Sequence, residues 1–216
     1  MNPTVTVQDI KDHQVPIQNA LTAVTERLWM LCEAPALPAW ASLDARKMNQ
    51  LLRHLWGLRK SIDYVIFDTG AGLAPQVLNF LIQAQEIVVV TTPNIAATLD
   101  AYGLIKTIHK QNMNEKVKLL INQCKDGEEA GVVSDKIISC VRQFLGNAPE
   151  MLGSLTRDEQ IEQANQSRQP FVIRSRNNTN SSQMMAGVAL LTNPIPEKSD
   201  ETSQEVSVRQ EEPQFA

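Results

Sequence analysis

The chain has 216 residues, a formal net charge of −4, 43% hydrophobic and 20% charged residues, and three cysteines. That length supports one domain with a substantial core plus a tail, and the acidic balance gives no electrostatic reason to expect nucleic-acid binding. No basic-then-apolar leader opens the chain and no apolar run is long enough for a bilayer, so a cytoplasmic protein without an integral membrane segment is expected.

Four apolar runs of strand length recur along the chain: RLWMLCE (27–33), IDYVIFD (62–68), EIVVVTT (86–92) and VKLLIN (117–122). They are continuous rather than alternating, which suits strands covered on both faces. MLGSL (151–155) and FVIR (171–174) are weaker candidates for the same series. Between them lie helical periods. Met48, Leu51, Leu52, Leu55 and Leu58 recur at three- and four-residue steps behind a Ser42 or Asp44 cap. Pro75 is placed to open a short helix through Val77, Leu78 and Leu81. A helix over 95–110 carries Leu99, Tyr102, Ile105 and Ile108, and one over 128–145 carries Val133, Ile137, Val141 and Phe144, with Gly146 as its stop. A last helix over 181–191 uses Met184, Val188 and Leu191, methionines that read as core. Strand–helix alternation of this kind predicts an α/β fold, a mostly parallel sheet with helices on both faces, over residues 1–192. From Asn193 the chain is polar, acidic and aperiodic, the composition of a disordered tail.

Cys32, Cys124 and Cys140 form no CxxC pair, and His13, His54 and His109 are scattered, so neither a disulfide framework nor a metal cluster is expected. Arg53, Arg59 and Lys60 lie close together, but a solvated helix face explains them.

In open parallel sheets ligands sit beyond the carboxyl ends of the strands. The residues expected there are Asp68 with its TGAG loop, Thr91–Thr92–Pro93, Asn122 and the Thr156–Arg157–Asp158 turn. An aspartate in that position holds a magnesium ion through water, since hard cations prefer oxygen. Gly70 and Gly72 would let backbone N–H groups approach a phosphate, and Asn122 offers the donor and acceptor that read an adenine edge. Each of these is also an ordinary cap or turn residue. The lysine-bearing glycine loop that neutralises a triphosphate has no match anywhere, and the first 60 residues hold a single glycine, Gly57.

The segment IDYVIFDTGAGLAPQVLNFLIQAQEIVVVTTPNIAATLDAYGLIKTI resembles the MinD/ParA family of P-loop ATPases, and most of all its FlhG (YlxH, FleN) branch, which regulates flagellar number and placement. The pieces that carry the resemblance are Asp68–Gly72, Val77–Phe80, Val88–Pro93 and Asp100–Lys106. The resemblance implies a Walker B magnesium role through water for Asp68, a γ-phosphate-sensing loop at Gly70 and Gly72, and a base-pocket role for Asn122 and the Thr156–Asp158 turn. It also implies ATP and magnesium as the family's cofactors, a protein partner (a flagellar GTPase or a transcription activator) and a homodimer. Asn94 stands where the family commonly has glutamate. The family's first strand, its lysine-bearing Walker A loop and its switch I aspartates have no counterpart, so this chain is expected to bind ATP poorly and not to hydrolyse it alone. Deleting that strand would leave 62–68 short of backbone partners, at roughly 1–3 kcal/mol per unsatisfied group. Three outcomes are open: the sheet closes over the gap, another chain fills it, or the sequence is the remainder of a longer reading frame, the last being the one expected. Two alternative functions stay beside the flagellar one, a nucleotide-independent interaction module and a chromosome- or plasmid-partitioning ATPase.

Overall fold

Where valine, isoleucine and leucine fill both faces of a short run, the chain forms neighbouring parallel strands. The computed structural model describes residues 17–31, 45–58, 61–72 and 74–192. Strands β3 (Ile87–Thr91), β4 (Val117–Cys124) and β5 (Glu150–Thr156) form a three-stranded parallel sheet in sequential order. Val89 pairs with Leu119 and Ile121 with Ser154, so the register runs through the apolar centre of each strand. Two long helices make the crossovers that parallel strands require. Helix α4 (Ile95–Lys110) joins β3 to β4, and α5 (Gly127–Leu145) joins β4 to β5. Both termini of α5 carry the expected signals: the Asp126 carboxylate accepts from the Glu129 N–H at 2.8 Å, and Gly146 ends it at φ +88°.

The main core lies on the face of the sheet that α4 and α5 cover. Ile87, Val89, Leu119 and Ile121 meet Ile105, Ile108, Ile137 and Val141, and five of these (Ile108, Leu119, Ile121, Ile137, Val141) are fully buried. The opposite face is covered unevenly. Helix α8 (Thr179–Thr192) lies against β5, its Gly187 close enough that an added methyl would sit 3.6 Å from Leu152. On β3 of that same face, Val88 and Val90 remain 36% and 53% exposed.

The remaining described elements are α1 (Ile17–Ala20), β1 (Leu21–Thr25), β2 (Leu28–Leu31), α2 (Ala45–Gly57), α3 (Pro75–Gln83), α6 (Glu159–Gln166) and α7 (Phe171–Arg174). A 3₁₀ turn, Asn114–Lys116, leads into β4. Helices α2 and α3, like α4, α5 and α8, fall where the periodicity places them. Leu52 and Phe80 form a second small cluster with Leu55 and Phe67, the two phenyl rings 4.8 Å apart.

Three strand expectations are corrected. The run 27–33 does not join the parallel sheet: β2 pairs antiparallel with β1, Leu21 opposite Leu31. Only Glu26 and Arg27 separate the two strands, and a connection that short permits only an antiparallel return. FVIR is a single helical turn, because Pro170 pre-sets its start and accepts from the N–H groups of Ile173 and Arg174 at 3.1 and 3.2 Å while Phe171 is buried. The run 62–68 forms no regular strand. Tyr64, Val65 and Ile66 are 64%, 48% and 87% exposed, and no backbone hydrogen bond joins 62–72 to another described residue. Apolar, β-branched composition favours extension, but a ladder also needs a neighbouring strand. The Ser42 or Asp44 cap and the acidic tail from Asn193 lie outside the described residues.

At the amino ends of the strands, Lys118 and Glu150 form an ion pair. The hydrogen bond that the Lys118 ammonium donates to the Glu150 carboxylate holds its pKa above the ordinary value of 10.5, against a smaller opposing effect of burial and with further support from the Glu150 and Glu86 charges. A lysine whose folded pKa is raised contributes stability that is fully present below the unfolded value and fades as pH rises through the folded one. Replacing Glu150 with glutamine should therefore cost well under about 1 kcal/mol at neutral pH, since Glu150 is solvent-exposed, and should remove part of the stability loss seen above pH 10.5. Urea titrations of both proteins at pH 8 and pH 11 measure this.

Among the described residues no helix is long and apolar enough to cross a membrane, and no group of three or more His, Cys, Asp or Glu side chains is placed to hold a metal ion.

Candidate ligand site at the carboxyl end of the sheet

The parallel sheet brings three of the expected segments to one end: Thr91–Asn94 after β3, Asn122–Cys124 closing β4, and Thr156–Asp158 closing β5. The last two are stitched together. The Arg157 N–H donates to the Cys124 carbonyl at 2.8 Å, and the Arg157 Nε donates to the Gln123 carbonyl at 3.1 Å. These bonds continue the β4–β5 ladder past the bulge between Ile121 and Cys124. Asn122 is half-buried there. Its Oδ1 accepts from the Gln123 N–H at 2.8 Å, which helps Gln123 hold a left-handed φ of +59°. The Asn122 amide nitrogen has no partner among the described residues, so its two N–H donors remain for a ligand.

Asp158 sits beside this turn with its carboxylate engaged. Oδ1 caps α6 by accepting from the Gln160 N–H at 2.8 Å, and Oδ2 accepts from the Asn178 and Asn180 side-chain amides at 2.7 and 3.4 Å. Asn180 is 1% exposed and satisfies Thr156 on both sides. Its Oδ1 accepts from the Thr156 N–H at 2.9 Å and the Thr156 hydroxyl at 3.2 Å, while its Nδ2 donates to the Thr156 carbonyl at 3.1 Å. The end of β5, the start of α6 and the start of α8 are thus one hydrogen-bonded block. What this block offers a ligand is the Thr156–Arg157 backbone and the exposed Arg157 guanidinium; the Asp158 carboxylate holds the block together. Asn178 and Asn180 were not singled out as site residues from sequence, whereas Arg157 was named there within the Thr156–Asp158 turn. The only trace of the first two is the polar run Asn177–Asn178–Thr179–Asn180 ahead of a helix.

After β3, Asn94 is the N-cap of α4: its Oδ1 accepts from the Ala96 and Ala97 N–H groups at 2.8 and 3.4 Å. Thr98 reinforces the cap through a 3.0 Å bond from its hydroxyl to the Asn94 carbonyl. Asparagine is among the best residues at that position. Changing Asn94 to alanine should cost about 1 kcal/mol of stability, read as a lower urea midpoint at constant m-value.

Asp68, Gly70 and Gly72 are exposed, and no hydrogen bond ties Asp68 to Asn122 or Asp158. Gly72 has φ +104°, a conformation an L side chain rarely adopts, so glycine is required there for the backbone alone. The candidate residues therefore fall into two groups: a hydrogen-bonded block at the ends of β4 and β5, and the loop 68–72, which makes no hydrogen bond to another described residue.

Beneath the block lies Cys124. Burial above all, with the charges of Glu129 and Asp126, raises its thiol pKa against a lowering contribution from Arg157. Alkylation by iodoacetamide at pH 7.5 should accordingly be slow at Cys124 and faster at half-buried Cys140. Peptide mapping of the modified chain reads this directly.

A parallel sheet whose loops gather at its carboxyl end is the architecture of the open α/β proteins, which place their ligands there. No protein-family model matches the chain. It is 21% identical over 164 residues to the antiactivator FleN of Pseudomonas aeruginosa, covering 76% of this chain and 59% of FleN. It is 34% identical over 97 residues to the flagellum site-determining protein YlxH of Helicobacter pylori, covering 42% of this chain and 33% of YlxH. The septum site-determining protein MinD of Pyrococcus horikoshii, solved in complex with Mg-ADP, superposes with a TM-score of 0.70 over 89% of this chain and 75% of its own, at 15% identity. The matched region thus spans between one third and three fifths of these two curated relatives. In sequence the chain is similar to FleN and YlxH, and in fold it is similar to MinD.

Proposed function

We propose that the chain belongs to a nucleotide-switch regulator of flagellar number or placement, acting through a protein partner, and that in the form described here it has little affinity for ATP. The single observation that carries the regulatory reading is the alignment to FleN and YlxH, two proteins whose names are flagellar. The site chemistry is consistent with it. Asn122 keeps N–H donors that a base edge could accept, Gly72 has a positive φ that suits a glycine loop, and Asp68 is exposed and free to meet a hydrated magnesium ion. The Pyrococcus MinD carries Mg-ADP on the same fold. What the chain lacks is a lysine-bearing glycine loop to neutralise the phosphates, and positioning plus charge neutralisation is nearly the whole of phosphoryl-transfer catalysis. Asp68, Gly70, Gly72, Asn122 and the Thr156–Asp158 turn are therefore proposed as a nucleotide and magnesium site that is only partly furnished, and hydrolysis by this chain alone is not expected.

Two measurements test the two halves of this reading. Deleting the gene in its own host should change the number or position of flagella per cell, counted by electron microscopy; unchanged flagellation removes the regulatory assignment. Calorimetry of the 216-residue chain with ATP and magnesium should show no micromolar binding, and such binding would mean the phosphates are held by groups other than a lysine loop.

A second reading is favoured by one feature of α4. Ile95 and Leu99, one helical turn apart, are 79% and 64% exposed on the helix that follows the ligand-facing end of β3. A nucleotide-independent interaction module would use that face. In that case a partner would still bind Asp68→Ala unchanged and would lose Leu99→Asp.

A further inference from the structure

The basic residues around α2, read from sequence as a solvated helix face, are used by no role described above. Residues 45–60 hold five of the chain's 20 lysines and arginines and none of its 24 acidic residues. A solvated helix face normally mixes the two signs, as α5 does with Glu128, Glu129, Asp135, Lys136 and Arg142. In α2, Arg46 and Lys47 stand in the first turn with no acidic residue beside them, where the helix dipole disfavours positive charge. Helix stability does not account for that placement, and positions that break a local rule are where function is expected. Arg46, Arg53, His54 and Trp56 are exposed, and neither arginine has a carboxylate partner among the described residues. Seven residues, two helical turns, separate Arg46 from Arg53, so they share one stripe about 10 Å long. Trp56, 50% exposed, lies one turn further along it. The apolar face of the helix is used inside the protein, with Leu52 4% exposed and clustered with Leu55, Phe67 and Phe80.

We propose that this stripe of α2 docks an acidic segment of a partner protein, with carboxylates about 10 Å apart facing Arg46 and Arg53 and an apolar residue covering Trp56. Arginine and tryptophan are the residues that most often anchor protein interfaces, and the arginine fork holds a carboxylate through two bonds. Two other anionic occupants fit less well. A helix lying in a lipid surface sinks its apolar face into it, and that face of α2 already packs on Phe67 and Phe80. Tight binding to a nucleic-acid backbone rests on about 6–10 neutralised phosphates, more than this stripe supplies, and the whole chain is acidic. The inference rests on the protein-partner half of the proposed function and needs neither flagella nor nucleotide.

Titration of the 216-residue chain with the amidated helical peptide Glu-Glu-Ala-Ala-Gln-Ala-Ala-Glu-Glu-Ala-Leu-Ala-Gln tests it, followed by calorimetry and by the Trp56 indole N–H signal in NMR. The peptide should bind and shift that signal, and binding should weaken as salt rises from about 50 to about 500 mM. The double variant Arg46→Glu, Arg53→Glu should bind it about tenfold or more weakly. That variant should instead take the same peptide with lysine in place of glutamate, a charge swap that a structural role would not produce. Both positions are exposed, so the variant keeps the fold. Absence of peptide binding overturns the surface whatever deleting the gene does to flagella, and unchanged flagellation with peptide binding intact overturns only the flagellar reading. Four further results each overturn the proposal: equal binding by the parent and the double variant, loss of binding in Leu99→Asp but not in the double variant, concentration-dependent self-association that the double variant abolishes, or tighter binding of duplex DNA or phosphatidylglycerol vesicles that it abolishes.

Discussion

Truncating Leu119 to alanine is expected to lower the unfolding free energy by about 3–5 kcal/mol, while truncating Val90 lowers it by less than about 1 kcal/mol. The two residues lie on adjacent strands of one sheet, both in its apolar middle. They differ in what stands over them. Leu119 is fully buried between the sheet and α4 and α5, so deleting its isobutyl group removes the transfer contribution and leaves a cavity that two long helices cannot collapse into. Val90 is 53% exposed on the opposite face, where only β5 is covered by α8, so its methyl groups leave neither a void nor much buried area behind. Urea titrations of the two variants, with m-values compared, decide the matter. Equal losses would mean that the Val88–Val90 face is covered in solution and that the one-sided packing described here is wrong.

Much of the arrangement behind that contrast was legible before the structure. The runs that became β3, β4 and β5 were bounded by turn residues, and α4 and α5 showed both period and stop signal, as with Ile105, Ile108 and Gly146. Local signals suffice where local chemistry decides: a cap, a glycine stop, a helical apolar stripe. Pairing is different. Nothing within IDYVIFD reports whether another strand lies beside it, and 62–68 shows that an apolar run can form no strand and make no backbone hydrogen bond to another described residue. The same holds for RLWMLCE, whose partner is the strand two residues upstream. Asp68, Gly70, Gly72, Asn122 and Asp158 are candidates chosen by position relative to strand ends and by resemblance. The job of the Asp158 carboxylate was not legible there, because it depends on α8 beginning beside the end of β5, a meeting of segments more than twenty residues apart in sequence.

That meeting sets the other large effect. Asn180→Ala should cost about 3 kcal/mol, although the substitution is at the second residue of the 14-residue helix α8, where alanine is the better helix former. Three Thr156 groups lose their partner at once, the N–H, the hydroxyl and the carbonyl, at a side chain that is 1% exposed, so water does not readily replace the amide. Asn180→Asp should be worse at neutral pH. It keeps the two acceptor contacts, removes both donors, and places a carboxylate where an amide now stands 3.4 Å from Asp158 Oδ2. The repulsion raises the pKa of the pair, so this variant should recover stability relative to Asn180→Ala as pH falls and one of the two carboxyl groups takes up a proton. Thermal unfolding of both variants between pH 4 and pH 8 separates these contributions. If Asn180→Asp instead loses stability on acidification in parallel with the parent chain, the two carboxylates do not share one site, and the block that joins β5, α6 and α8 is not held by Asn180.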